Sequence, residues 1–167
     1  MSEDLKFKHP FTCIISGHSG SGKSSFCVPL LQHLDALCSE RDFESGVIWF
    51  IARRPRFPRR HNCRRVMYIL TRASQQILKI SRGRPCLVIL DDMLNIYSKQ
   101  VCDLFTKGSH HRNMSVILIT QTLFHHGRYC RDISLNAKYL VLLKNVREIM
   151  LVSTRPTWTR INEPTGT

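Results

Sequence analysis

The stretch FTCIISGHSGSGKSS, residues 11–25, joins a short apolar run to a glycine-rich loop that ends in lysine and serine. The run from Phe11 to Ser16 is apolar and β-branched, which is typical of a buried strand. Residues 17–24, GHSGSGKS, match in full the pattern GxxxxGK followed by Ser or Thr. Because apolar positions at helical spacing follow from Ser24 onward, the stretch predicts a phosphate-binding loop between a strand and a helix.

The loop residues have distinct expected roles in binding a nucleotide. We expect the glycines to let backbone amides turn toward the phosphates, while the helix that starts near Lys23 adds the positive end of its dipole. The Lys23 ammonium would reach the β- and γ-phosphates, and the Ser24 hydroxyl would ligand Mg²⁺. The alternative is a glycine-rich turn that fits the pattern by chance. The predicted ATP-binding residues are Gly17, His18, Ser19, Gly20, Ser21, Gly22, Lys23, Ser24 and Ser25.

A second motif is the run CLVILDD, residues 86–92, in which an unbroken apolar segment ends in two aspartates. A buried strand of this kind delivers a carboxylate beside a phosphate-bound Mg²⁺. We expect Asp91 to belong to the metal shell and Asp92 to be the catalytic carboxylate that orients or deprotonates the attacking water. Asp92 stands where hydrolytic proteins of this class usually carry the longer Glu. The alternative is a pair of aspartates that end a strand at the surface.

A third motif is the apolar run SVILITQ, residues 115–121, which ends in Gln121. Ligands of open parallel sheets bind at the carboxyl ends of the strands. We therefore expect the Gln121 amide to take part in catalysis, by sensing the γ-phosphate or by holding the attacking water. The alternative is a polar residue that merely ends a strand.

The rest of the chain alternates strands with helices. Pro29 is expected to bend or shorten the helix that the apolar spacing predicts from Ser24 to Leu37. Further strands are predicted at 47–52, 66–70 and 139–144, and further helices at 74–82 and 97–107. This alternation predicts an α/β fold, a P-loop NTPase with a mostly parallel central sheet flanked by helices. We assign this domain to residues 1–150 and expect a polar, loosely ordered tail at 151–167.

Composition limits the classes of function. Of the 167 residues 43% are hydrophobic and 22% charged, which excludes intrinsic disorder as the main description. The longest apolar runs are far shorter than the roughly 20 residues of a membrane-spanning helix, so no membrane partner is expected. A chain start without a basic and apolar leader predicts an intracellular protein. Seven separate cysteines without a CxxC pair predict reduced thiols that act as small hydrophobes.

The net charge of +13 favours a polyanionic partner, and nucleic acid is the natural candidate. Seven arginines lie within Arg53–Arg65, a segment that we call the arginine loop. These arginines could contact the phosphates of double-stranded DNA independently of sequence, and the alternative is a solvated insertion. His110, His111, His125 and His126 lack the spacing of a metal site and are expected to extend a basic rim.

The order of these motifs resembles the FtsK/HerA superfamily, in particular the genome packaging ATPases of poxvirus-like viruses, Maverick/Polinton elements and adintoviruses. The motifs that carry the resemblance are GHSGSGKS, VILDDM, SHHRNMSVILITQTLFHHGR and DISLNAKYLVLLKN, within residues 11–145. The resemblance implies an ATP-driven motor that threads double-stranded DNA into a capsid as a homo-oligomeric ring. It also implies a capsid protein as partner, a place in the host cytoplasm, nucleus or virion, and Arg112 as an arginine finger for the neighbouring subunit's γ-phosphate.

The sequence departs from the family pattern at two places, and two rival functions are left open. The arginine loop is basic where the family usually has an acidic or aromatic segment. Where family members are expected to continue into a further helical region, the sequence reads IMLVSTRPTWTRINEPTGT. One rival function is a small nucleotide or nucleoside kinase, with the arginine loop as its lid. The other is a truncated, catalytically weak domain that binds nucleotide or DNA. For Arg112 the alternative is a solvated basic loop residue.

Overall fold

The computed structural model describes residues 6–38, 47–51, 66–69, 85–91, 98–108, 113–123 and 128–144. In chain order the elements are β1 Thr12–Ser16, α1 Lys23–Gln32, α2 Leu34–Leu37, β2 Val47–Ile51, β3 Val66–Ile69, β4 Cys86–Asp91, α3 Lys99–Asp103, a π-helix Leu104–Gly108, β5 Met114–Thr120, α4 Cys130–Leu135 and β6 Tyr139–Leu142. Each strand predicted from the sequence is present within two residues of its expected bounds.

The six strands form one sheet in the order β3, β2, β4, β5, β1, β6, and every neighbouring pair is parallel. All residues of β1, β4 and β5 are buried, as expected for strands that helices cover on both faces. The strand β6 is only half-buried. The predicted α/β class with a parallel central sheet is therefore confirmed, and the carboxyl ends of β1, β4 and β5 lie along one edge of the sheet.

The two faces of the sheet carry separate hydrophobic cores. Ile89 of β4 belongs to the core that contains the buried residues of α1, whereas Leu90 belongs to the core that contains those of α3 together with Ile133 of α4. Because side chains alternate along a strand, Asp91 shares the face of Ile89 and points to the side of α1. Gln121 likewise comes two residues after Ile119, which packs in the same core as the buried residues of α1. Strand pairing thus brings both polar strand ends toward the start of α1.

The first helix is shorter than the single predicted helix at 24–37. The Pro29 nitrogen carries no hydrogen, so the helix loses one of its backbone hydrogen bonds there. The helix continues to Gln32, and the His33 amide closes its last turn by donating to the Pro29 carbonyl at 3.0 Å. The separate helix α2 follows. The helix is thus shorter than predicted, but Pro29 lies inside it and the helix ends one turn after the proline.

Two other helical segments differ from the predicted pattern. The region predicted as one helix at 97–107 begins with α3, where the Ser98 hydroxyl accepts a hydrogen bond from the Val101 amide at 3.4 Å, and ends as the π-helix. The helix α4 was not predicted, because six residues are too few to display a helical period. The predicted helix at 74–82 and the tail at 151–167 lie outside the described residues.

The cysteines behave as predicted wherever the structure describes them. All six are buried in the structure, as expected for cysteines that act as small hydrophobes: Cys13, Cys27, Cys38, Cys86, Cys102 and Cys130. Cys63 lies outside the described residues. No helix in the described part of the chain combines the length and apolar character that crossing a membrane requires.

Candidate nucleotide-binding site

The glycine-rich loop starts in a narrow space between the ends of β5 and β6. The Gly17 amide donates to the Thr120 carbonyl at 3.3 Å, and the Leu143 amide donates to the Ser16 carbonyl at 2.8 Å. A Cβ atom at Gly17 would collide with the Leu143 carbonyl oxygen and would approach the Ser21 hydroxyl to 2.6 Å. Position 17 therefore requires glycine because neighbouring backbone comes too close for any side chain.

The loop then turns through two glycines in the left-handed region. Gly20 has φ of 77° and Gly22 has φ of 88°, values that other residues rarely adopt. Between them, the Ser21 amide donates to the His18 carbonyl at 3.2 Å and closes a turn. The Gly22 carbonyl then accepts the first helical hydrogen bond of α1, from the Phe26 amide at 2.8 Å. The turn thus leads directly into the first turn of a helix, where backbone amides are left available for an anion.

The Lys23 side chain crosses back over the loop. Its ammonium donates to the Gly17 carbonyl at 2.5 Å and to the His18 carbonyl at 2.9 Å. These bonds hold the positive charge of Lys23 at the mouth of the loop. The residues directly before and after Lys23 in the chain are uncharged. A lysine ammonium is a compact donor to phosphate oxygens, so its position suits the binding of a phosphate chain.

The Ser24 hydroxyl joins the first turn of α1 to the carboxyl end of β4. It donates a hydrogen bond to Oδ2 of Asp91 at 3.1 Å, although the two residues are 67 positions apart in the chain. Asp91 is only 6% exposed. A carboxylate with so little contact to water gains from a nearby cation or donor. The pair therefore places one hydroxyl and one carboxylate oxygen next to each other at the base of the loop.

Gln121 lies between the loop and Asp91 because of the strand order. The strand β5 separates β1, which leads into the loop, from β4, which ends in Asp91. Gln121 directly follows β5 and is exposed. Just after it the chain turns, and the Thr120 hydroxyl donates to the Thr122 carbonyl at 3.0 Å. A neutral amide that can both donate and accept is thus placed at the centre of the sheet edge.

These groups surround a cavity of about 340 Å³. Its volume falls at the lower end of the range of small-molecule sites, roughly 300–1,000 Å³. The wall combines backbone of the loop, one cation, one carboxylate and polar side chains, which is a composition suited to a phosphate chain. The lining residues are Ser19, Gly20, Gly22, Lys23, Ser24, Ser25, Asp91, Ile119, Thr120 and Gln121.

A buried thiol lies one helical turn below Ser24. Burial raises the pKa of Cys27 to about 12, and the negative charge of Asp91 contributes to the increase. The pKa of Cys13, on the neighbouring strand β1, is raised as well, first by burial and then by Cys27. Both thiols therefore stay neutral near pH 7. Of these three neighbouring groups, Asp91 is therefore the one that carries a negative charge.

The donor set fits a phosphate-bound Mg²⁺ better than a resident metal. Among the described residues, no three His, Cys, Asp or Glu side chains come together as a complete metal site. Mg²⁺ is usually held by one or two carboxylates, with phosphate oxygens and water as the other ligands. Ser24 and Asp91 supply oxygen donors of this kind beside a cavity of suitable size. The residues present are thus compatible with Mg²⁺ that arrives with a nucleotide.

The structure brings together most of the residues that the sequence analysis selected. Six of the nine predicted nucleotide-binding residues line the cavity, and so do Asp91 and Gln121. The other three, Gly17, His18 and Ser21, form the part of the loop behind it. Ser21 Oγ is buried and has no hydrogen-bond partner among the described residues.

Other predicted functional residues lie outside the described residues and stay predictions. They are Asp92, Arg112, the arginine loop Arg53–Arg65 and the histidines His110, His111, His125 and His126. Conversely, Ile119 and Thr120 line the cavity, although neither was predicted from the sequence as a site residue. Their place directly before Gln121, on the same strand end, was the available signal. The contact of Leu143 with Gly17 had no such signal, because it depends on β6 pairing with β1.

No protein-family model matches this chain, and no curated protein or solved structure is similar enough to it to count as a match.

Proposed function

We propose that this protein is a P-loop NTPase that binds and hydrolyses ATP with Mg²⁺. The observation that carries the proposal is the 3.1 Å hydrogen bond from Ser24 to Asp91 at the base of a glycine-rich loop. These two residues were selected from separate motifs, and they meet in the manner expected for a shared metal shell. A glycine-rich turn that matched the pattern by chance would have no reason to contact an acidic strand end.

Each group of the cavity has a role in this activity. Mg²⁺, when bound with ATP, neutralises phosphate charge and makes the terminal phosphoryl group easier to transfer. The Lys23 ammonium leaves the loop carbonyls for the β- and γ-phosphate oxygens, and the amides of the loop and of the first turn of α1 bind the phosphate chain. The Gln121 amide orients the attacking water. Asp92, predicted from the sequence alone, would accept its proton.

We further propose that ATP hydrolysis drives translocation along double-stranded DNA by a homo-oligomeric ring. The net charge of +13 and the arginine loop favour a polyanion that is bound without regard to sequence. The resemblance to viral packaging ATPases adds the ring, Arg112 as a finger for the neighbouring subunit, and a capsid protein as partner. In such a ring the active site is shared, so activity depends on assembly.

The proposal is tested by the ATPase rate of the purified protein with and without double-stranded DNA, over a range of protein concentrations. Wild type is compared with Lys23→Ala, which removes the cation of the loop, and with Lys99→Ala, which removes an exposed cation that does not line the cavity. We expect a DNA-stimulated rate that rises more than linearly with protein concentration. We expect Lys23→Ala to lower this rate by about 100-fold or more and Lys99→Ala to leave it unchanged.

Other outcomes separate the rival functions. Transfer of phosphate from ATP to a nucleoside or nucleotide, without stimulation by DNA, would replace the ATPase with a kinase. A rate equal to that of Lys23→Ala, combined with a higher melting temperature in Mg-ATP, would indicate a nucleotide-binding domain without turnover, since a ligand that binds the native state stabilises it. No increase in melting temperature at saturating Mg-ATP would contradict nucleotide binding itself.

A further inference from the structure

The carboxyl end of β6 lies directly beside the start of the glycine-rich loop. Leu143 donates its amide to Ser16 at 2.8 Å, and its carbonyl oxygen lies so close to Gly17 that no Cβ would fit between them. Lys144 follows Leu143 and is exposed. Neither residue lines the cavity that the phosphate-binding groups surround. The end of β6 is therefore next to the loop but outside the part of the site described so far.

The strand order gives the cavity a direction. Asp91 and Gln121 follow β4 and β5, which lie on one side of β1, whereas β6 lies on the other side. The two strand-end groups suited to the Mg²⁺ and the terminal phosphate, Asp91 and Gln121, are thus both on the β4 and β5 side of the loop. The phosphates and the nucleoside form opposite ends of a nucleoside triphosphate. A nucleotide whose terminal phosphate lies toward Asp91 has its nucleoside at the end farther from Asp91, and β6 is the strand on the far side of β1 from Asp91.

The backbone at Lys144 is unusual in a way that suits a binding role. Lys144 has φ of 46°, in the left-handed region that residues other than glycine, asparagine and aspartate rarely adopt. The other such residue in the described part of the chain is Asn113, whose type tolerates this conformation and whose Oδ1 lies 2.8 Å from Nε2 of His9. Backbone strain of this kind is found preferentially at ligand-binding sites.

We propose that Leu143 and Lys144 form the nucleoside subsite of this protein, in which the Lys144 ammonium donates to acceptor atoms of the base or ribose. This inference rests on the proposed function, because it requires the phosphates to occupy the glycine-rich loop. The Lys144 side chain leaves from a strand end that is hydrogen-bonded to the residue before the loop, which keeps its origin fixed relative to the phosphates.

The test compares binding of Mg-ATP with binding of Mg-tripolyphosphate by titration calorimetry. Tripolyphosphate has the phosphate chain without the nucleoside, so it responds to the loop and to general charge but not to a nucleoside subsite. The variant is Lys144→Gly, because glycine adopts a φ of 46° without strain and folding is preserved. Lys144→Arg keeps a cationic donor at the same position, and Lys99→Ala removes an exposed cation elsewhere.

We expect Lys144→Gly to weaken Mg-ATP binding by about tenfold, the effect of losing one charge-assisted hydrogen bond, with tripolyphosphate binding unchanged. Lys144→Arg should restore most of the affinity for Mg-ATP, and Lys99→Ala should change neither ligand. An unchanged ratio of the two affinities in Lys144→Gly would overturn the nucleoside subsite while leaving the proposed function intact. If wild type binds neither ligand, the proposed function and this inference fail together.

Discussion

At the scale of single residues, the site depends on the charge of Asp91. Replacing this carboxylate with an amide of nearly the same shape leaves Ser24 an oxygen to which it can donate, so the local structure is retained. The negative charge that attracts Mg²⁺ is lost. We expect Asp91→Asn to weaken the Mg²⁺-dependent part of ATP binding at least about tenfold, and to leave thermal stability equal or higher because a buried charge is removed.

This expectation is checked by titrating ATP with Mg²⁺ and with EDTA, for wild type and Asp91→Asn. A matched control is Asp132→Asn, which removes an exposed carboxylate on α4 away from the cavity. Wild type and Asp132→Asn should bind ATP more tightly with Mg²⁺ than with EDTA, and Asp91→Asn should bind similarly in both. Full Mg²⁺ dependence in Asp91→Asn would remove Asp91 from the metal shell and assign the Ser24 hydrogen bond to structure alone.

At the scale of secondary-structure elements, the loop depends on how closely β6 approaches it. A methyl group at position 17 would meet the Leu143 carbonyl and the Ser21 hydroxyl, so β6 or the loop would have to move. We expect Gly17→Ala to lower the free energy of unfolding by about 1–3 kcal/mol, the usual effect of overpacking. The measurement is equilibrium unfolding in urea without nucleotide.

Gly20 provides the comparison for this prediction. It has φ of 77°, but open space surrounds the position where its Cβ would be. Asparagine tolerates the left-handed conformation, so Gly20→Asn should cost less than about 1 kcal/mol. Equal losses in the two variants would mean that the backbone conformation of the loop, and not the approach of β6, makes Gly17→Ala unfavourable.

The same elements show how much the sequence could predict. The strand β1, the loop, and the strands that end in Asp91 and Gln121 were predicted, because apolar runs and a local motif are visible in adjacent residues. The α4 helix was missed because six residues display no period. The hydrogen bond of Ser24 with Asp91 was expected only in outline, and the packing of Leu143 on Gly17 was not expected at all. Both contacts depend on strand order, which adjacent residues do not encode.

At the scale of the whole molecule, the excess of positive charge predicts how the protein binds DNA. A protein with net charge +13 that neutralises several phosphates releases the counterions condensed on them. We therefore expect the affinity for double-stranded DNA to be independent of sequence and to fall by a factor of about 10³ or more between about 50 and 200 mM salt. Fluorescence anisotropy with two unrelated duplexes of equal length measures both properties.

The arginine loop can be separated from general charge by two double variants that each remove two cations. Arg59→Ala with Arg60→Ala acts within the loop, whereas Lys99→Ala with Lys107→Ala acts at exposed positions in and after α3. If the loop contacts DNA phosphates, the first double variant should make the negative slope of log affinity against log salt shallower by about two. The second double variant should leave this slope nearly unchanged. If the two double variants changed the salt dependence equally, the arginine loop would contribute to DNA binding only as part of a generally basic surface. An affinity that is insensitive to salt would contradict phosphate binding, and with it the DNA translocation proposed for this ATPase.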